Sequence, residues 1–414
     1  MPIVIGVLSL LCFPFWLAGL PRIFGEIINW VFSLGTESDA HFVLLARIWG
    51  SVSIVVAVTL TCLQTYDILE KAQTAIVALL LLSLAAATLA SRPDWLEALF
   101  GTFLPIVPDY EPWIRTKFSK IAERPPWVEI TVYLGAIGGG TYDYIGYIGC
   151  LREKAWGAIG QTFGRTPFCS QCLYDLRGSV AVGSQKCPEC GASITDAYYE
   201  SEASPKFDMS PENLRRAHRW LLPAKIDTGI SFLSVLIFTV CFVVLGASIL
   251  HPAQQVPAGR ELLSHQAEFL TRFHPSLLYL YQIGIFMAFW GTIYGAFELY
   301  VRTTYECIAP LSRRLRALPI RKVRVPVLLY CGLGGMVLLW TFDDPIKLVT
   351  PAAIIGGVFT CGLWCFAMIW ADRHFLPGPL RMGRMLLFLT AIAGTVLTAL
   401  GIKGLWDYIS SLLS

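Results

Sequence analysis

The chain has 414 residues, of which 55% are hydrophobic and 15% charged, and its mean hydropathy is +0.59. A chain this apolar lies outside the soluble globular range, and a net charge of +3 is too small to point to nucleic acid as a partner. Runs such as residues 76–90 carry almost no polar residue, where a soluble helix would alternate its faces, so the lipid bilayer is the expected solvent.

Apolar runs long enough to cross a ~30 Å hydrocarbon core fall, in chain order, at residues 3–33, 42–64, 73–91, 128–150, 227–250, 279–301, 325–342, 350–371 and 384–405. They predict an all-α membrane protein of about nine transmembrane helices, four in residues 1–150 and five in residues 227–414, separated by an insert at 151–226. The first run is interrupted at Pro21-Arg22 and reads as one long tilted helix, a broken helix or a cleaved signal. Residues 1–20 hold no basic residue and no clear cleavage site, so the run is kept as a span. Glu26 follows Arg22 by one turn, either as an ion pair inside the span or below a snorkelling arginine. It is one candidate proton-relay carboxylate.

The fourth run contains Gly138-Gly139-Gly140-Thr141-Tyr142-Asp143, followed by Gly146 and Gly149. Glycine in a helix interior costs up to about 1 kcal/mol relative to alanine, so something should compensate. Close helix packing explains Gly146 and Gly149. For residues 138–143 the intramembrane carboxylate favours another reading, a discontinuous helix whose freed carbonyls, Thr141 and Asp143 face a polar cavity and hold a ligand. All six residues are therefore candidate substrate ligands and are expected to be non-helical.

The insert carries the most specific signal in the chain. Cys169-Ser-Gln-Cys172 and Cys187-Pro-Glu-Cys190 are two CxxC knuckles separated by residues 173–186. That spacing can bring four thiolates to the corners of a tetrahedron, for which Zn²⁺ is the usual occupant. With four protein ligands the metal would be structural. The predicted module is a small β-type zinc ribbon at about 166–195, and its wording resembles a ribbon of planctomycete-type bacterial proteins. Ser210-Pro211-Glu212 then starts a short amphipathic helix leading to the next span, with Arg215, Arg216 and Arg219 placed for anionic headgroups.

Glu298, near the end of the sixth run, is the second candidate proton-relay carboxylate, and Gly291 and Gly295 form a Gly-x-x-x-Gly step expected to mark a packing face. Cys361 and Cys365 read as small apolar fillers, and His251, His265 and His274 match no metal signature. The connection 302–324 holds Arg302, Arg313, Arg314, Arg316, Arg321, Lys322 and Arg324 against Glu306 alone. By the positive-inside rule it lies in the cytoplasm. Alternation from that anchor puts the N-terminus and the ribbon inside, and it puts the 92–127 and 251–278 loops, Glu37, Asp39, Asp343 and Asp344 outside. The expected location is the bacterial inner membrane.

The span order, the stretch Tyr66-Asp-Ile-Leu-Glu70-Lys71 and the Gly138 to Tyr147 stretch followed by Leu-Arg-Glu-Lys resemble the Nramp family of proton-coupled divalent-metal transporters. The resemblance implies a LeuT-type bundle with an unwound helix at a metal site, the present spans corresponding to the third through eleventh helices of that family. Its Asp-Pro-Gly-Asn motif has no counterpart here, and Gly140-Thr141-Tyr142 stands where that family has Met-Pro-His. The donors left are oxygens, which suit Mg²⁺ or Mn²⁺ better than soft metals. No phosphate loop, nucleophile elbow or His-Glu-x-x-His helix is present, so no enzyme activity is expected. Two functions follow from the sequence: a secondary transporter of divalent cations, or a membrane-anchored regulatory or scaffold protein whose zinc ribbon recruits a cytoplasmic protein.

Overall fold

A computed structural model of the chain describes residues 2–34, 40–63, 67–96, 109–123, 125–154, 165–169, 171–172, 174–194, 198–201, 209–256, 261–342 and 345–413. Among the described residues, seven helices are long and apolar enough to cross a membrane. This is the all-α membrane architecture that the composition requires. In lipid every backbone polar group must find its partner inside the protein, and a helix does so without help from a neighbour.

The first helix, α1 (Pro2–Val31), is continuous, with Pro14 and Pro21 inside it. At 30 residues it is roughly 45 Å long, more than the hydrocarbon thickness, so it must tilt or project. It forms the centre of the bundle, packed against α2 (Ala40–Leu63), α11 (Leu277–Ile308), α13 (Ile320–Thr341) and α14 (Pro345–Ala352). Glycines let the backbones close up there. A methyl group at Gly335 of α13 would stand 2.6 Å from the Leu17 carbonyl oxygen. Near the other end of α1, Arg22 is 1% exposed. It donates to the Val43 carbonyl at 3.0 Å and lies 3.3 Å from Glu26, so the two charges form an ion pair within the span.

Two of the nine expected spans take a different form. The run 73–91 falls, up to residue 90, in α3 (Asp67–Ala90), whose apolar portion, Thr74–Ala90, is shorter than the seven. Residues 128–150 are divided between α6 (Pro126–Gly138) and α7 (Thr141–Glu153). At 13 residues each, neither reaches ~20 residues, the length of a spanning helix. Ahead of them, α4 (Pro112–Lys117) and α5 (Ser119–Ala122) are short and largely exposed.

In the insert, β1 (Arg165–Phe168) pairs antiparallel with β2 (Tyr198–Ser201), in the register Arg165 to Ser201 and Phe168 to Tyr198, and α8 (Arg177–Ala181) lies between them. The amphipathic helix expected at its end is not separate. Ser210 caps α9 (Pro211–Leu245), accepting from the Asn213 N–H at 3.5 Å, and the helix runs unbroken through Pro223 into the span. The insert therefore ends inside one 35-residue helix. A π-turn, Gly246–Leu250, continues it.

Beyond it lie α10 (Leu262–Thr271), the five-residue α12 (Arg313–Ala317), α15 (Thr360–Phe375) and α16 (Arg384–Leu413). A second π-segment, Ala353–Phe359, joins α14 to α15. The outer helices α9 and α16 expose rows of large apolar side chains, including Ile230, Leu233, Leu236, Leu386, Phe388 and Ile392. In water such rows would be a liability; against acyl chains they are at home.

Candidate functional site

The break between α6 and α7 spans two residues. Gly139 has φ 67° and ψ 162°, and Gly140 has φ −86° and ψ 162°. The Gly139 conformation belongs to a region essentially reserved for glycine. Gly140 must also be glycine, because a methyl group there would run into the Tyr142 ring. The non-helical stretch is thus shorter than the sequence implies. Gly138 closes α6, while Thr141, Tyr142 and Asp143 form the first turn of α7.

Asp143 is the reason α7 can restart at once. Its Oδ2 accepts from the Gly140 N–H at 2.6 Å, and its own N–H donates to the Gly140 carbonyl at 2.9 Å. This reciprocal arrangement satisfies an N-terminal donor that a membrane cannot supply with water. The carboxylate also lies at the positive end of a half-helix, where negative charge is favoured. Asp143 is half-buried, and its second oxygen has no hydrogen-bond partner among the described residues.

Around the break, Thr141 donates to the Cys361 thiol at 3.2 Å, and that thiol lies 3.8 Å from the Gly139 carbonyl oxygen. Cys361 therefore takes part in the polar cluster and is not an apolar filler. Tyr142 is 3% exposed. Its ring stands edge-on to Phe13 and Tyr300, with centroids 5.6 and 5.7 Å away, and its carbonyl accepts from Thr303 at 2.6 Å. Thr141 and Tyr142 are buried against protein and do not open onto the polar cavity expected from sequence.

Facing the break is the π-segment. Gly357 approaches α6 so closely that a methyl group on it would lie 2.6 Å from the Cα of Gly135. Thr360 donates to the Ile355 carbonyl at 2.6 Å, closing one of the wide turns. Two interruptions of α-helical geometry thus lie side by side in the bundle. Single π-turns are often found at functional positions.

The two candidate relay acids, Glu26 and Glu298, lie in ion pairs. Glu298, on α11, is shared by Arg302 at 2.7 Å and Arg324 at 2.9 Å, and Arg324 also donates to the Thr61 carbonyl at 2.6 Å. The cluster ties α11, α13 and α2 together. Gly146 and Gly149 serve the close packing expected of them, against Leu299 and Arg302 of α11. Gly295 meets nothing within 4 Å, so it is not part of a packing face. His251 bonds Glu111 at 3.0 Å and His274 bonds Ser276 at 2.6 Å.

In the insert, the Sγ atoms of Cys169, Cys172, Cys187 and Cys190 all lie within 4.8 Å of one another, and the pairs 169/190 and 172/187 are 3.5 and 3.6 Å apart. No disulfide joins them. One ion bound tetrahedrally at ~2.3 Å would need sulfurs roughly 3.8 Å apart, so the set fits a zinc ion. Each knuckle is closed by backbone bonds, from Cys169 N–H to the Tyr174 carbonyl at 2.9 Å and from Cys187 N–H to the Ala192 carbonyl at 2.8 Å. Gly191, at φ 71°, turns the second knuckle. Arg177 binds Asp175 through its side chain at 2.8 Å and its N–H at 2.9 Å, which holds that carboxyl below its usual range.

No protein-family model matches this sequence, and no curated protein matches it. The site is therefore read from its own geometry. Tyr66, Glu37, Asp39, Asp343 and Asp344 lie outside the described residues, as do the side chains of Glu70 and Lys71.

Proposed function

We propose that this chain is a membrane transporter that binds a hard divalent cation, of the Mg²⁺ or Mn²⁺ class, at the interruption between α6 and α7. The observation that supports it most is the Gly139-Gly140 break beside Asp143, set against the π-segment Ala353–Phe359. A helix that stops and restarts inside a membrane forfeits backbone hydrogen bonds, and in transporters such ends hold the substrate. The donors at hand are the second Asp143 oxygen and the carbonyls released at the end of α6. These are hard oxygens, and they match the cation class that the Nramp resemblance implies after its sulfur-bearing motif is lost. The LeuT-type arrangement belongs to this proposal, and so does the assignment of Zn²⁺ to Cys169, Cys172, Cys187 and Cys190 as a structural ion on the cytoplasmic side.

One observation favours the second reading, a membrane anchor for a partner-recruiting ribbon. The bond from Gly140 N–H to Asp143 gives that acid a purely architectural use. The two readings differ in whether cations stabilise the protein. At ten times Kd a ligand adds about 1.4 kcal/mol of stability. The full chain in detergent should therefore melt a few degrees higher with Mg²⁺ or Mn²⁺ than with the same ionic strength of K⁺, and Asp143→Asn should abolish the difference. Wild-type protein with no cation-specific shift would leave the anchor as the function.

A further inference from the structure

A groove of about 420 Å³, part of it open to the outside, runs between the N-terminal half of α1 and the C-terminal end of α11. Gly6, Leu10 and Phe13 form one wall and Thr303, Cys307 and Leu311 the other, and the lining is almost wholly apolar. Its shape follows from sequence: residues 3, 6, 7, 10 and 13 recur at helical spacing on α1, and 303, 304, 307 and 308 do so on α11, with Leu311 in the turn that follows it. The floor is narrow because Gly6 brings the helices together, a methyl group there standing 3.1 Å from the Cys307 Cβ.

Basic residues stand at the end of this groove. Leu311 is followed at once by α12, which carries Arg314 and Arg316, both exposed. The short helix is held in place by Ser312, which accepts from the Leu315 N–H at 3.1 Å, and by Tyr305, whose hydroxyl donates to the Arg316 carbonyl at 3.1 Å. An apolar slot whose end leads into a short helix bearing two exposed arginines is complementary to one molecule type, an amphiphile with an acyl chain and an anionic head.

We propose that this groove is a binding site for one anionic phospholipid, with an acyl chain between α1 and α11 and the phosphate on Arg314 and Arg316. The deep end of the groove is formed by Phe13 and Thr303, which respectively pack on Tyr142 and bond its carbonyl. An acyl chain there rests against the two residues that position the first turn of α7. This site stands apart from the cation reading, because it uses other atoms and a different ligand.

Native mass spectrometry of the purified full chain tests it, with phosphatidylglycerol, phosphatidylcholine of the same chains and inorganic phosphate as probes. The wild type should retain one phosphatidylglycerol, at least five-fold more than phosphatidylcholine, and no phosphate. Val7 lines the groove and is 51% exposed, so Val7→Trp fills the slot without disturbing the core. It should lose the retained lipid. Arg314→Gln with Arg316→Gln should bring the two lipids to equal retention. Equal retention of both lipids by the wild type, undiminished retention by Val7→Trp, or binding of phosphate alone would overturn the proposal.

Discussion

Gly139 is the residue on which the break depends most directly. Any side chain there adopts a backbone conformation that costs about 1–3 kcal/mol for non-glycine residues, and its Cβ would also meet the Asp143 carboxylate at 3.1 Å. Gly139→Ala should therefore lower the midpoint of thermal unfolding, whereas Gly138→Ala, at a helical position, should raise it or leave it unchanged. Equal losses at both positions would show that the break is not where the backbone places it. Glu298 offers a second test at this scale. Glu298→Gln leaves Arg302 and Arg324 with no carboxylate between them, and removing one partner of a buried pair typically costs about 3–5 kcal/mol. Glu298→Gln combined with Arg324→Met should recover part of that loss, which denaturation of the single and double variants measures. If the double variant is no more stable than Glu298→Gln, the pairing does not govern that site.

At the level of elements, the four-cysteine module is the part whose design was most legible from sequence. Two CxxC knuckles define ligands by spacing alone, and the folded Sγ cluster agrees. Among the described residues the module's own core is small, with Leu176 buried beside Cys169 and Cys187 and Ala192 and Ile194 packed against them. With Zn²⁺ as the proposed occupant, metal binding would supply much of its folding energy. Elemental analysis should find one zinc per chain, and Cys187→Ser should abolish it and open the 165–201 region to protease while the membrane helices stay intact. A protease-resistant, zinc-free variant would contradict this. The break was legible in outline, since three glycines and an acid inside a span mark strain. Its two-residue length was not, because that depends on Asp143 folding back on Gly140, although the three-residue spacing of a capping box was present to be read. The π-segment left no comparable trace. It depends on Gly357 meeting Gly135 across a helix interface, a contact between positions far apart in the chain. The part played by Cys361 was hidden for the same reason.

For the molecule as a whole, hydrophobic length alone located seven of the nine expected spans, because only a helix of ~20 apolar residues both crosses lipid and satisfies its own backbone. Packing around α1 was beyond such reasoning. Arg22 and Arg324 sit inside this bundle only because carbonyls of α2 and the acids Glu26 and Glu298 meet them, and pairings of that kind are set by the fold. The proposed movement of a cation through the α6/α7 break is tested most directly by flux. Purified chain reconstituted into liposomes should take up Mn²⁺ faster than protein-free vesicles, and Asp143→Asn, inserted to the same extent, should cut that uptake at least ten-fold. Wild-type uptake no faster than the leak of empty vesicles, or an Asp143→Asn rate equal to the wild type, would contradict the account.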